Sequence, residues 1–195
     1  LYMRSLDIKN PQLSAQASGQ LVDGRASGQA AAQIARLAAL GQGWSGSLDA
    51  TATLATDQAG TRRVEIGGKG ENIKLGQSQA DAALTGTTTI DIAAEQRSDG
   101  AINIDRANVT NDQLTATAQG KIGDAGTDAT GKLEVRDLAS LGLGLQGALN
   151  IDAAFADTAE GARRLTITGT GEDLALGQEG NAGKLTGTTD IDAAG

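Results

Sequence analysis

Between Ser47 and Ala55 the chain alternates strictly, with Leu48, Ala50, Ala52 and Leu54 on one parity and Asp49, Thr51 and Thr53 on the other. A period of two marks a strand with one face packed and the other in water. The stretch "ALNIDAAFA" at 148–156 does the same, with Leu149, Ile151, Ala153 and Phe155 in phase. Extended over the second half of the chain, the pattern predicts strands near 101–110, 113–122, 129–136, 147–156, 162–170, 172–177 and 183–193. A helical turn is expected at 137–142, "DLASLG", and "QIARLAAL" at 33–40 has weakly helical spacing. Sheets with one polar face are mostly antiparallel. The fold class expected is all-β.

The pattern itself recurs. Sliding the chain by about 101 residues lays positions 1–94 over 102–195 without a gap. "LGQGWSGSLDATATLATDQAGTRRVEIGGKGENIKLGQ" falls on "LGLGLQGALNIDAAFADTAEGARRLTITGTGEDLALGQ", and "LTGTTTID" at 84–91 falls on "LTGTTDID" at 185–192. Two tandem repeats are therefore expected, 1–101 (entered part-way through its phase) and 102–195, forming one continuous sheet within a fragment of a longer chain. No linker-like stretch separates them. At the strand spacing of about 4.8 Å, six or seven strands per repeat predict a sheet roughly 60 Å long.

The repeat decides how the glycines are read. "GQGWSG" at 41–46 and "GLGLQG" at 142–147 both fit G-x-G-x-x-G, the pattern of a dinucleotide-binding turn. That turn needs a strand before it and a helix after it. Here an alternating strand follows each copy, so the glycines are expected to punctuate the sheet. "GGKGEN" at 67–72 approaches the calcium-binding β-roll turn, but it occurs once and ends in Asn72; a bend or bulge is the expectation.

Composition leaves little catalytic chemistry. The chain has no histidine or cysteine and carries a net charge of −8. Imidazole bases, thiol nucleophiles and most zinc sites are thereby removed, and nucleic acid is an improbable partner for so acidic a chain. Asp91, Asp152 and Asp192 fall on the polar parity beside threonines, as solvated carboxylates do. Arg62–Arg63 and Arg163–Arg164 follow hairpin-like turns; they are expected to protect edges, with an anion clamp as the alternative. No enzyme, cofactor or metal site is expected.

What remains is the apolar parity. In the first repeat it carries Leu48, Leu54, Val64, Ile66, Ile73, Leu75, Leu84 and Ile90. In the second it carries Ile102, Ile104, Leu114, Ile122, Leu133, Val135, Leu149, Ile151, Phe155, Leu165, Ile167, Leu174, Leu176, Leu185 and Ile191. Such a face must be covered. Two arrangements would cover it: a sandwich filled by its own side chains, or a gutter whose aliphatic wall admits hydrocarbon.

The texture of "DLASLGLGLQGALNIDAAFADTAEGARRLTITGTGEDLALGQ" resembles the repetitive periplasmic body of the TamB proteins of the AsmA-like superfamily, and "INIDRANVTNDQLTATAQGKIG" at 102–123 is similar to it as well. The resemblance spans both repeats. It implies a long folded-over sheet, a β-taco, with an open hydrophobic groove. It implies a non-enzymatic protein anchored in the inner membrane of a diderm bacterium and crossing the periplasm. Its partners would be phospholipid acyl chains and a TamA-like outer-membrane protein, and its tasks lipid passage between membranes and outer-membrane protein assembly. The alternative is a structural or adhesive β-solenoid of a surface or secreted protein, although rungs should repeat at roughly 20–25 residues.

Overall fold

The structure is a computed structural model that describes residues 2–124, 126–141, 144–157, 162–176, 183–184 and 187–194. Its strands are β1 (Tyr2–Lys9), β2 (Leu13–Val22), β3 (Arg25–Ile34), β4 (Ser45–Thr56), β5 (Arg62–Lys74), β6 (Thr87–Gln96), β7 (Ile102–Thr110), β8 (Leu114–Gly123), β9 (Gly126–Val135), β10 (Leu145–Asp157), β11 (Arg163–Leu176), β12 (Gly183–Lys184) and β13 (Thr188–Ala194). Among the described residues one short helix, α1 (Ser78–Ala83), and two 3-10 turns, Leu37–Ala39 and Leu138–Leu141, interrupt them.

The strands form a single antiparallel meander in chain order from β1 to β11. β12 and β13 both pair with β11, at different stretches of it, Ala175–Leu176 and Thr166–Glu172. Among the described residues nothing joins β13 back to β1, and the sheet is open. β6 pairs with β7 across the boundary expected between the two halves, from Thr89↔Thr110 to Gln96↔Ile102, and the sheet runs on without a break.

Surface area rules out the filled sandwich. A compact globule of 19.5 kDa exposes about 8,500 Å². This chain exposes 12593 Å², well above that, so its strands are not packed as a filled two-layer globule.

Local departures from the sequence pattern have identifiable causes. The two strands expected at 162–170 and 172–177 are one, β11, bent at Asp173, whose φ is +49°. The strand expected at 183–193 is split into β12 and β13. The helical turn expected at 137–142 is the 3-10 turn Leu138–Leu141. In "QIARLAAL" the first residues end β3 and only Leu37–Ala39 turn. α1 has no counterpart in the alternating pattern; its alanine-rich "SQADAA" favours helix.

The glycine clusters build bulges. The β4–β5 register slips between Ser45 and Ser47, and the β10–β11 register slips between Gln146 and Ala148. Gly46 and Gly147 sit in these slips with φ of +95° and +99°. A Cβ there would run into the Asn72 and Glu172 carbonyls of the neighbouring strands, so only glycine fits. Each cluster leads into a strand, β4 or β10.

Candidate functional site

Register turns the apolar parity into continuous rows. One row crosses the sheet through Ile8, Ala15, Ala32, Ala50, Gly68, Ile90, Val109, Ala116, Leu133, Ile151, Gly169 and Ile191, each directly opposite the next. The next runs from Leu6 and Ala17 through Ala52, Ile66, Ile92, Ala107, Gly131, Ala153 and Ile167 to Ala193. A third passes Gly28, Leu54, Val64, Ala94, Ile104, Gly120, Ala129, Phe155 and Leu165. No polar side chain breaks any of the three. Directly opposite residues share a face, and successive residues do not.

The opposite face is mainly polar. Lys9, Ser14, Gln33, Asp49, Lys69, Thr89, Thr110, Thr115, Glu134, Asn150, Thr170 and Asp190 make one of its rows. Thr117, Lys132, Asp152 and Thr168 belong to the adjacent one. The open hollows of the sheet lie over this polar side, one of about 380 Å³ bounded by Thr117, Thr130, Lys132, Asp152, Thr166 and Thr168 and one of about 640 Å³ bounded by Asp7, Gln16, Gln29, Thr51 and Thr53.

One end of the strands is closed. Ile34, Leu37 and Ile73 form a buried cluster with Leu13, Leu48 and Leu84 packed against it. Leu37 belongs to the first 3-10 turn, and Leu84 follows α1. Asn111 Nδ2 donates to the Ala83 carbonyl at 2.6 Å and so ties the end of α1 to the end of β7. α1 in turn reaches the second 3-10 turn, where Leu138, Val135 and Ala175 are buried. Leu114, Val135 and Leu149 stand opposite one another beside them. The apolar face thus has a wall of short helical elements along this end.

At the other end no helical element lines the floor among the described residues. Ile66 is 37% exposed, Leu165 42%, and Ile102 and Ile122, which face each other, 38% and 45%. The result is an aliphatic floor closed along one side and open along the other.

Most of the lining residues expected from sequence fall on this floor or its wall. Leu48, Ile73, Leu84, Leu114, Val135 and Leu149 are at the walled end; Leu54, Val64, Ile66, Ile90, Ile104, Leu133, Ile151, Phe155, Leu165, Ile167 and Ile191 are in the rows. Leu174 is half-buried beside Gly171, where a Cβ would meet its side chain. Leu75 is 42% exposed beyond the end of β5, its N–H held by Asp81 Oδ1 at 2.6 Å, and belongs to no row. Leu185 and the Leu176 side chain lie outside the described residues. The pattern missed Ile34 and Leu37, hidden in the segment with helical spacing, and the glycines that stand in the rows, Gly28, Gly68, Gly120, Gly131 and Gly169.

The charged groups are pinned in pairs on the polar face. Arg106 Nε donates to Asp91 at 2.7 Å, and this hydrogen bond holds the Asp91 carboxyl below its ordinary range and raises Arg106. Lys132 and Asp152 are 2.7 Å apart, which raises Lys132. Glu71 accepts from the Thr87 hydroxyl at 2.8 Å, which with Lys69 lowers its carboxyl. Asp91, Asp152 and Asp192 share one row but lie on β6, β10 and β13. Four strand spacings, about 19 Å, separate the first two, far beyond the separation at which two carboxyls act on one bond. Arg62 and Arg63 are neighbours on a strand and face opposite sides; Arg63 pairs with Glu95, and Arg62 reaches Gln96 at 3.4 Å. They form no clamp.

No family model matches the chain, and no curated protein or solved structure is detectably similar to it.

Proposed function

We propose that this chain is a non-enzymatic segment of a TamB-like periplasmic protein, and that its apolar floor takes up the acyl chains of phospholipid passing between the inner and outer membranes. Assembly of outer-membrane proteins, with a TamA-like partner engaged by the full-length, inner-membrane-anchored protein, is the companion task of the same groove. One observation carries the proposal: apolar rows without a polar interruption cross the sheet and are left without a covering layer. An acyl chain in water loses about 0.8 kcal/mol per CH₂, so a carrier must be apolar at every step. It must also lack deep selective pockets that would trap the lipid. A shallow floor of Ala, Gly, Ile, Leu and Val meets both demands.

The solenoid alternative draws less support. Successive coils of a solenoid pair equivalent strands in parallel, whereas every pairing here is antiparallel between chain neighbours or along β11.

A photo-crosslinking residue placed at Ile151 in cells should capture phospholipid, while one at its neighbour Asp152, on the polar face, should not. Capture at neither position, with the protein folded and abundant, overturns the proposal. Equal capture at both would place the ligand on the wrong face.

A further inference from the structure

Along its unwalled end the apolar face finishes in a mixed row. Thr56, Arg62, Gln96, Ile102 and Ile122 stand opposite one another across β4 to β8. Arg62 lies two residues before Val64 and four before Ile66 on β5, and so shares their face. Its guanidinium reaches the Gln96 side-chain oxygen at 3.4 Å, and among the described residues no carboxylate is paired with it. Glu65 and Glu95 have the opposite parity, and Glu95 is held by Arg63. The carboxylates of the flanking turns are engaged locally. Asp57 Oδ1 accepts from the Ala59 and Thr61 N–H groups at 2.8 and 2.9 Å, and Asp99 accepts from the Ala101 N–H at 3.0 Å with Arg97 3.9 Å away. The second half of the chain fills the same place differently. Asp157 stands opposite Arg163, 4.0 Å from it, where Thr56 stands opposite Arg62. Arg62 is thus a cation without a paired counter-ion, set at the rim of an aliphatic floor.

We propose that Arg62 receives the phosphate of a phospholipid whose acyl chains lie on the floor. The proposal rests on reading that floor as an acyl-chain surface, and adds which amphiphile it selects and which way round the molecule lies. The neighbours of Arg62 suit an anion. Thr56 Oγ1 accepts from the Ala26 N–H at 3.2 Å, which leaves the hydroxyl proton to donate. The Gln96 oxygen is turned to Arg62, which leaves the amide –NH₂ to donate. Between them stands the guanidinium, whose planar fork matches phosphate oxygens. These three donors succeed one another at the strand spacing of about 4.8 Å. The length of the floor also fits. From Leu48 at the wall to Thr56 at the rim, β4 advances eight residues, about 26 Å, whereas the chains of one bilayer leaflet span about 15 Å. A phospholipid therefore lies along the strands with its tails toward the wall and its headgroup in water at the rim. The net charge of −8 does not prevent this, because carboxylates more than about 8 Å away are screened at physiological ionic strength.

Two probes with the same fluorescent acyl chains test this, phosphatidylglycerol and diacylglycerol, each kept below its aggregation threshold. The parent protein should prefer the phospholipid by about threefold to fivefold, the size of one exposed charge contact. Arg62→Gln should abolish the preference by weakening phosphatidylglycerol binding alone, and Arg62→Lys should keep part of it. Arg163→Gln should leave the preference as in the parent, because Asp157 already supplies a counter-charge there. In nitrogen-edited NMR spectra the Arg62 Nε–H signal should shift on adding phosphatidylglycerol and stay in place on adding diacylglycerol. Equal binding of the two probes, or a preference that survives Arg62→Gln, overturns the proposal and leaves the acyl-chain floor standing. A signal that moves as far with inorganic phosphate alone also overturns it, since the anion site would then be independent of the floor. Binding of neither probe removes the acyl-chain reading itself, and this proposal with it.

Discussion

Asn72 and Gly86 hold each other by two hydrogen bonds: the Asn72 N–H donates to the Gly86 carbonyl at 2.8 Å, and the Gly86 N–H returns to Asn72 Oδ1 at 3.1 Å. Asn72 does this from a left-handed conformation, φ +49°, which asparagine tolerates better than most residues. Asp173 and Gly187 repeat the arrangement at 3.1 and 3.2 Å. "GGKGEN" thus lies within β5 and is locked by Asn72 onto Gly86, just before β6. Asn72→Ala loses the side-chain acceptor and keeps the unfavourable φ, so it should destabilise by about 1–3 kcal/mol. Asn72→Gly, which relieves the conformation, should cost less. Chemical denaturation of the two variants measures the difference, and equal losses would mean that conformation contributes nothing.

Gly70 and Ile73 make a socket and plug at the walled end. A Cβ on Gly70 would collide with Ile73 Cδ1, and Ile73 is buried in the cluster with Ile34 and Leu37. Gly70→Ala should cost about 1–3 kcal/mol through overpacking, and Ile73→Ala about 2–4 kcal/mol through the cavity it leaves. Ile66→Ala, out on the open floor, should cost under about 1 kcal/mol. If the Ile66 and Ile73 changes cost the same, the floor is packed as tightly as the wall.

The Asp91 carboxyl is held down first by its hydrogen bond from Arg106, with the charge of Arg106 adding to it. A carboxyl depressed in the folded state contributes stability that is fully present above the ordinary aspartate range, about pH 4, and is lost as pH falls through the folded value. In Arg106→Gln the Asp91 titration followed by NMR should move up toward the ordinary range. The acid limb of the stability profile should flatten below pH 4, while stability near neutrality changes little because both groups are exposed. An unmoved titration would show that the pair does not form in solution.

Alternation made the strands, their faces and the antiparallel meander legible in the sequence, because Leu48, Ala50, Ala52 and Leu54 need no partner to declare a period of two. Alternation alone suits a sandwich as well as an open sheet; the continuous sheet was expected from the lack of a linker and the open groove from the resemblance, and the β6–β7 pairing and the open topology bear out an unclosed sheet. α1 was missed because "SQADAALTG" has no apolar stripe of its own; it is held by Asn111 and by Leu84 in the wall, contacts distant in sequence. Leu75 was misread for the opposite reason, keeping strand parity two residues past Ile73 although the chain has already turned toward Asp81.

The open floor and the closed wall also answer differently to a buried charge. Val135 is 4% exposed at the walled end, with no route for water to an introduced carboxylate, so Val135→Asp should unfold the protein or destabilise it by more than about 3 kcal/mol. Ile151 lies in the row between Leu133 and Gly169, half-buried by neighbours but under no second layer. A carboxylate there can reach water above the sheet. Ile151→Asp should therefore keep the strand signature in circular dichroism and lower the melting temperature only modestly. It should also interrupt the apolar row across the full width of any hydrocarbon lying on it, so binding of a fluorescent fatty acid to the purified protein should fall at least tenfold. Ile151→Val, which keeps the row intact, should bind as the parent does. If Ile151→Asp unfolds the protein as readily as Val135→Asp, and the parent binds no fatty acid, then the floor is a core whose cover is protein, and the acyl-chain proposal fails with it.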